Sequence, residues 1–257
     1  MTTTPEPLAH QYDALFYRYQ REGSLRSARV VLPLIVQACK VKCMFDVGCG
    51  AGAWLSVADK LGLKDIAGTD GDYVDRSMLL VDAVHFTPRD ISKPFDAGRM
   101  FDLVQCLEVA EHVPTAASTT LVGNLVRHGK IVLFSAAVPG QGGEDHINEQ
   151  HYEYWRDLFA ANGYRLFDFV RPRIVDHPEV EPWYRYNLML FAHDSVIANL
   201  PPEVTSTRVA DGAPIVDVSP LVYRMRKALL GRLPNSMVSK LAVWKHQRVV
   251  QALRQQN

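Results

Sequence analysis

Apolar and polar positions along this chain follow two rhythms, and the changes of rhythm mark its elements. Between residues 43 and 135 short apolar runs end in small or acidic residues, and helically spaced stretches lie between them. The runs predict strands at 43–47, 65–69, 84–86, 101–106 and 130–135, and the intervening pattern predicts helices over 53–61, part of 74–80 and 116–128. That alternation is the rhythm of a parallel sheet with right-handed crossovers. After a helix at 151–161, closed by Gly163, two apolar stretches at 165–170 and 187–192 have no helix-length segment between them. They predict an antiparallel hairpin.

The ends follow the helical rhythm. Residues 11–40 read as two helices broken near Gly23-Ser24, with Ser24 as N-cap and Leu25, Ala28, Val31, Leu32 and Ile35 on one face. Pro201-Pro202 and residues 210–214 read as a linker. Beyond it Leu221, Met225 and Leu229 share a helical face, as do Met237, Leu241 and Trp244 after a break at 231–234. The predicted organisation is an N-terminal helical cap (1–40), a core (41–197), and a linker with a helical tail (198–257).

A chain of 257 residues with 47% hydrophobic residues accommodates one α/β domain with additions. Its formal net charge of zero hides an asymmetry: residues 218–257 hold eight basic residues and no acid, leaving 20 basic against 28 acidic residues before them. The tail is predicted to dock on the acidic body, on a partner, or peripherally on an anionic surface. No aromatic-basic platform accompanies it, so nucleic acid is not an expected partner. Residues 1–13 do not read as a signal peptide, and the longest apolar run, 30–39, is too short to span a bilayer. A soluble, cytoplasmic protein is expected. Four cysteines, Cys39, Cys43, Cys49 and Cys106, lack metal-ligand spacing and read as reduced and structural.

The most informative stretch is 44–54, where the first strand runs into Gly48-Cys49-Gly50-Ala51-Gly52 before the chain turns helical. Glycines allow a tight turn and close approach of a ligand, and Asp70 stands where a carboxylate can accept hydrogen bonds from ribose hydroxyls. Gly48, Gly50 and Ala53 also satisfy a dinucleotide-binding pattern. Asp46, just before the glycines, favours a different nucleoside ligand, because its carboxylate would repel a pyrophosphate and hold a cationic amino group.

The Asp-x-Gly-x-Gly-x-Gly form, with Phe101–His112 as a fourth strand and turn, resembles class I S-adenosylmethionine-dependent methyltransferases. A second stretch, Ser-Ala-Ala-Val-Pro-Gly-Gln-Gly-Gly at 135–143 followed by His146-Ile-Asn-Glu-Gln, resembles a bacterial subgroup of them acting in antibiotic and surface-polysaccharide pathways. The likeness covers most of residues 12–192. It implies a doubly wound, Rossmann-like seven-stranded α/β sheet with an antiparallel terminal hairpin, S-adenosyl-L-methionine as cofactor, and a small-molecule or sugar-containing substrate. By the same resemblance Asp46, Gly48, Gly50, Asp70 and Gly71 line the cofactor site, Asp90 receives the adenine amino group with Ile91 against the ring, and Leu107 packs beside adenosine and sulfonium.

Methyl transfer to a hydroxyl needs a proton acceptor. His146 is the first candidate, with His112 as runner-up. Gln141, Asn148, Glu149, Arg171, Tyr184 and Arg185 are candidate substrate contacts, although Asn148 and Glu149 also suit the N-cap and first turn of the helix at 151–161. Glu144, Asp145, His146 and Glu149 lack a recognisable ligand pattern, and no metal is predicted. An S-adenosylmethionine-dependent O-methyltransferase is the expected function. The alternatives are a methyltransferase for an anionic oxygen (phosphonate, phosphate or carboxylate) and a non-catalytic cofactor-binding partner protein. The oligomeric state is open.

Overall fold

The computed structural model describes residues 14–233 together with Met237, Val238, Lys240, Leu241 and Arg248, with side chains described from residue 21 onward. Trp244, placed by the sequence on the tail's apolar face, lies outside the described residues.

The chain runs α1 (Ala14–Cys39), β1 (Cys43–Val47), α2 (Ala53–Lys60), β2 (Asp65–Asp70), β3 (Phe86–Pro88), β4 (Leu103–Leu107), α3 (Ser118–His128), β5 (Ile131–Ser135), α4 (Tyr152–Ala160), β6 (Tyr164–Phe167), α5 (Arg171–Ile174), α6 (Pro182–Asn187), β7 (Met189–His193), α7 (Pro202–Thr205) and α8 (Leu221–Leu230). The seven strands form one sheet in the order β3-β2-β1-β4-β5-β7-β6. The first five pair in parallel, and β7 inserts antiparallel between β5 and β6. This is the doubly wound α/β sheet with antiparallel terminal hairpin that the sequence predicts. Between the hairpin strands the chain forms α5 and α6, too short to read as helices from periodicity.

Alternation along the strands builds two cores. Met44, Leu103 and Leu133 face α1 and α2, where Leu32, Ile35 and Leu55 are fully buried. Phe45, Val104, Val132 and Phe134 face the other way, onto Leu121 and Leu125 of α3 and Trp155 and Phe159 of α4. Stacking both faces of the sheet with helices leaves its carboxyl edge as the open end, where such sheets place ligands.

Two expectations need correction. The predicted break at Gly23-Ser24 is absent, and α1 runs through it and through Pro33. Gly23 lacks a side chain because Glu181 lies against it: a Cβ there would stand 2.6 Å from the Glu181 carboxylate. Ser27 hydroxyl donates to the Gly23 carbonyl and accepts from the Glu181 backbone, so α1 is clamped to α6. The predicted helix within 74–80 is only a 3₁₀ turn at Arg76–Met78, capped by the Asp75 carboxylate.

Candidate active site

At the carboxyl end of β1 the backbone turns left-handed at Gly48 (φ 83°) and Gly50 (φ 51°). A Cβ on Gly48 would stand 2.4 Å from a Val109 methyl, whereas one on Gly50 would meet open space. Gly48 is small for packing, and Gly50 leaves a vacant cradle. Asp70, ending β2, closes the cradle from beside. Its Oδ2 accepts the Gly50 N–H at 2.7 Å, and its Oδ1 accepts the Gly71 N–H at 2.7 Å and the Tyr73 hydroxyl at 2.5 Å. The Tyr73 ring lies directly over Gly71 yet is 83% exposed.

Asp46 points into the sheet's α1 side and is 3% exposed. Burial, with the charge of Asp70 adding to it, pushes its carboxyl up to about 7. In register beside it on β4 is the fully buried Gln105, whose amide faces the Asp46 carboxyl and opposes the upward shift but makes no hydrogen bond of ordinary geometry. An orphaned amide next to a buried carboxyl is costly unless a polar ligand completes it.

Leu107 is buried at the end of β4, and Ile91 packs against the second core. Asp90 is turned to its own loop instead: its Oδ1 accepts from the Ser92 N–H and hydroxyl, and its Oδ2 pairs with Lys93 at 3.0 Å. The carboxylate therefore serves an Asx turn.

Beyond β4 the backbone reaches Glu108 in a left-handed conformation (φ 54°), uncommon for a side-chain-bearing residue. Its carboxyl receives the Gln141 amide at 2.9 Å and the Asn187 amide at 3.2 Å, and Asn187 also donates to Gln141 at 2.8 Å. Burial raises the Glu108 pKa against these donors. Gln141 is thus held inward, a difference from the predicted substrate contact. Sequence reasoning missed Asn187, and read Glu108 as a possible partner of His112 rather than of Gln141, because the network joins three segments distant in the chain.

The 139–149 loop wraps around one carboxylate. Glu149 Oε2 accepts the Gly140 N–H, and its Oε1 accepts the Gly142 N–H and His146 Nδ1–H, all at 2.8 Å. Glu149 is not the first-turn acid of α4; its two oxygens order the loop. Asn148 is likewise structural, donating to the Ala110 carbonyl and Ser118 hydroxyl and accepting from Thr115, while α4 is entered at His151. With Nδ1 donating, the remaining nitrogen of His146 carries a lone pair. The His112 and His146 rings meet edge to face at 5.0 Å. Loss of hydration, then the neighbouring His146, lower the His112 pKa.

Glu111, His112 and His146 each bring one ligand atom within 4.8 Å of the others. Glu111 is buried, one of its oxygens has no hydrogen-bond partner, and burial followed by the charge of Glu108 raises its pKa. Such a carboxylate and two imidazoles can hold a divalent cation. The sequence predicts no metal because this set spans two loops and has no local spacing. Next to His146 opens a cavity of about 170 Å³, walled by Ile147 and Glu149 on one side and by Leu230, Leu233 and Val238 from the tail on the other.

The remaining candidates divide. Arg171 is corrected to a structural role: it is 1% exposed, bound bidentately by Asp168, and donates to the Tyr186 and Val216 carbonyls. Its guanidinium has no room for a substrate anion. Tyr184 is buried with its ring against Trp54 and its hydroxyl 3.2 Å from Ser24, linking α6 to α1 and α2. Arg185 lies half-buried along the Tyr186 ring, its Nε without a hydrogen-bond partner.

A family model described as a methyltransferase domain matches residues 17–168, which hold β1 to β6 and the glycine cradle. The chain belongs to the methyltransferase-domain family. The open cradle at Gly50 and the Gln105 amide beside Asp46 fit a ligand with a polar, cationic end. A ubiquinone biosynthesis O-methyltransferase of Stutzerimonas stutzeri (strain A1501) is 31% identical over 140 residues, covering 49% of this methyltransferase; the chain spans about 60% of that relative's length. Among solved structures, Streptomyces venezuelae DesVI aligns with a TM-score of 0.53 at 17% identity, over 74% of this chain and 100% of that one. The sugar N-methyltransferase KedS8 from Streptoalloteichus sp ATCC 53650 aligns with a TM-score of 0.52 at 19% identity, over 75% and 96%. Both likenesses are of fold.

Proposed function

We propose that this methyltransferase methylates a hydroxyl oxygen of a small metabolite or sugar-containing intermediate, with His146 as proton acceptor. The observation that carries this reading is the Glu149–His146 pair beside the cavity. A carboxylate on Nδ1–H fixes the tautomer whose other nitrogen can take a proton, and the cavity gives an acceptor a place next to it. The O-methyltransferase name of the Stutzerimonas relative agrees with an oxygen acceptor.

In this reading S-adenosylmethionine supplies an electrophilic methyl group. Asp46 and the unpaired Gln105 amide receive its charged amino-acid end, Gly48, Gly50 and Gly71 give their backbone to its approach, and Asp70 receives the ribose. The Tyr73 hydroxyl on Asp70 shows that this carboxylate accepts from a hydroxyl at that position. Leu107 and Ile91 provide apolar contact for the adenosine. Asp90, held in its own turn, would reach the adenine only after releasing Ser92. Tyr184 sets α6, and Arg185, its Nε without a hydrogen-bond partner, is the remaining candidate contact for an acceptor.

The Glu111, His112 and His146 cluster favours a second reading, in which these residues would hold a divalent cation able to lower the pKa of an acceptor hydroxyl. The anionic-oxygen alternative loses Arg171 and rests on Arg185 alone. Formation of S-adenosylhomocysteine, followed across a panel of hydroxylated sugars, phenols, carboxylates and phosphonates, tests the proposal. Product only with carboxylates or phosphonates would overturn it.

A further inference from the structure

The sequence places Leu221, Met225 and Leu229 on one face of α8 and leaves open whether that face docks on the body, on a partner or on an anionic surface; the fold turns it outward. Leu221, Met225 and Leu229 are each 64% exposed, and Val222 is 79% exposed. At the helical step these residues and Ala228 span an arc of roughly 120°. Arg224 and Arg226 stand at its two borders. The opposite face is anchored. Lys227 is buried and paired with Asp217, the Tyr223 ring meets Tyr186 at 5.1 Å, and Arg226 donates to the Gln141 carbonyl at 3.3 Å. A Cβ on Gly140 would stand 2.0 Å from the Lys227 carbonyl, so helix and loop touch backbone to backbone. The helix cannot roll its apolar arc inward without breaking all of these contacts.

A contiguous exposed apolar arc is a candidate interaction site, and the charge around it selects the partner. Residues 218–257 carry eight cations and no anion. Lys227 is neutralised internally, while Arg224, Arg226, Arg232 and Lys240 are exposed, as are Met237 and Leu241 at 49% and 46%. A protein partner would need a matching cluster of acids to compensate these cations, whereas an anionic bilayer supplies negative charge all around the arc. An apolar arc bordered by arginines matches a surface that offers hydrocarbon depth and negative charge together.

We infer that the outer face of α8 is an in-plane contact with an anionic membrane surface, and that it seats the 139–149 loop and its cavity at the bilayer. The inner face of the same segment supplies Leu230 to the cavity wall, so membrane contact and acceptor site share one helix.

Co-sedimentation of the full chain with vesicles tests this. The chain should sediment with phosphatidylglycerol-containing vesicles at low salt, much less so at high salt, and not with pure phosphatidylcholine. A Met225→Glu/Leu229→Glu variant, both sites being exposed, should melt like the parent and bind at least about tenfold more weakly; Val222→Glu is the second variant if the double one is unstable. Absence of binding to anionic vesicles at low salt, or undiminished binding by a folded variant, would overturn the inference. So would a dimer in light scattering that the same substitutions dissociate, since the arc would then be a self-association surface.

Discussion

Glu149 receives His146 Nδ1–H at 2.8 Å while the same carboxylate ties down the Gly140 and Gly142 amides. One side chain therefore sets both the shape of the loop and the tautomer of the proposed base. Removing it unsettles two things, whereas removing His146 unsettles one.

His146→Ala is expected to lower turnover by about 10²–10⁴-fold with nearly unchanged S-adenosylmethionine affinity. Glu149→Gln keeps an acceptor for the imidazole but loses its charge, so it should lower turnover less than His146→Ala. Steady-state kinetics on the identified acceptor, beside calorimetric cofactor titrations, separate the two. Equal rates for His146→Ala and wild type would remove His146 from the chemistry.

The buried Asp46 carboxyl gives a pH signature. Its pKa is 3.8 in the unconstrained state and about 7 in the fold. The fold holds the carboxyl protonated more tightly than the unfolded chain does, so its contribution to stability is complete below about 4 and is lost as pH rises through about 7. A cationic ligand end reverses the preference, because it favours the carboxylate. Cofactor binding near pH 6 should release a proton, and affinity should rise with pH until about 7. Calorimetry in buffers of different ionisation enthalpy reads the proton; in Asp46→Asn both the release and the pH slope should vanish.

Asp70→Ala should weaken S-adenosylmethionine binding by about 1.5–3 kcal/mol, the range for hydrogen bonds to a charged group. Tyr73→Phe frees Asp70 of a competing hydroxyl and should tighten binding modestly. Unchanged affinity in a folded Asp70→Ala protein would place the ribose elsewhere.

Strand positions were legible because alternation and glycine punctuation are local: β1 agrees with its predicted bounds, and the antiparallel hairpin follows from its two apolar stretches. Gly23 misled because a glycine inside a helix can serve close packing, here against Glu181, as well as a break. At the candidate site, the pairing of the glycine turn with Asp70 was legible from spacing along one strand and its neighbour. The other partnerships were not. Glu108 with Gln141 and Asn187, or Glu111 and His112 with His146, depend on how β4, the 139–149 loop and α6 converge, and periodicity within any one segment carries no trace of that. Arg171 was misjudged for the same reason, since its Asp168 partner is visible in the sequence but its burial is not. On α8 the periodicity correctly showed an amphipathic helix and could not say which face the body would take.

Gly140→Ala should separate the tail from the loop. Its φ of 79° is left-handed, and its Cβ would collide with the Lys227 carbonyl, which belongs to backbone and cannot swing aside. A loss of about 1–3 kcal/mol in unfolding free energy is expected. Deleting residues 218–257 should likewise lower the melting temperature, by removing the Lys227–Asp217 pair and the tail side of the cavity. A truncated chain that melts unchanged would show that the tail contributes nothing to the body's stability.

Chelation and a Glu111 substitution separate the two readings of the histidine pair. If His146 takes the acceptor's proton, turnover should survive exhaustive treatment with a chelator, and the acidic limb of its pH profile should shift or disappear on substitution of His146. If Glu111, His112 and His146 hold a divalent cation, chelation should abolish turnover and added metal should restore it. Glu111→Gln then becomes decisive. Glu111 makes no contact with the His146 ring through Nδ1, which belongs to Glu149, so its neutral isostere leaves the proposed base in place. Its orphaned buried oxygen would no longer carry charge to offer a cation. Under the proton-acceptor reading Glu111→Gln should therefore retain turnover within about tenfold, and calorimetric titration with manganese should show no site in either protein. Manganese binding by the parent that is lost in Glu111→Gln, together with loss of turnover, would replace the imidazole by a metal as the agent that prepares the oxygen.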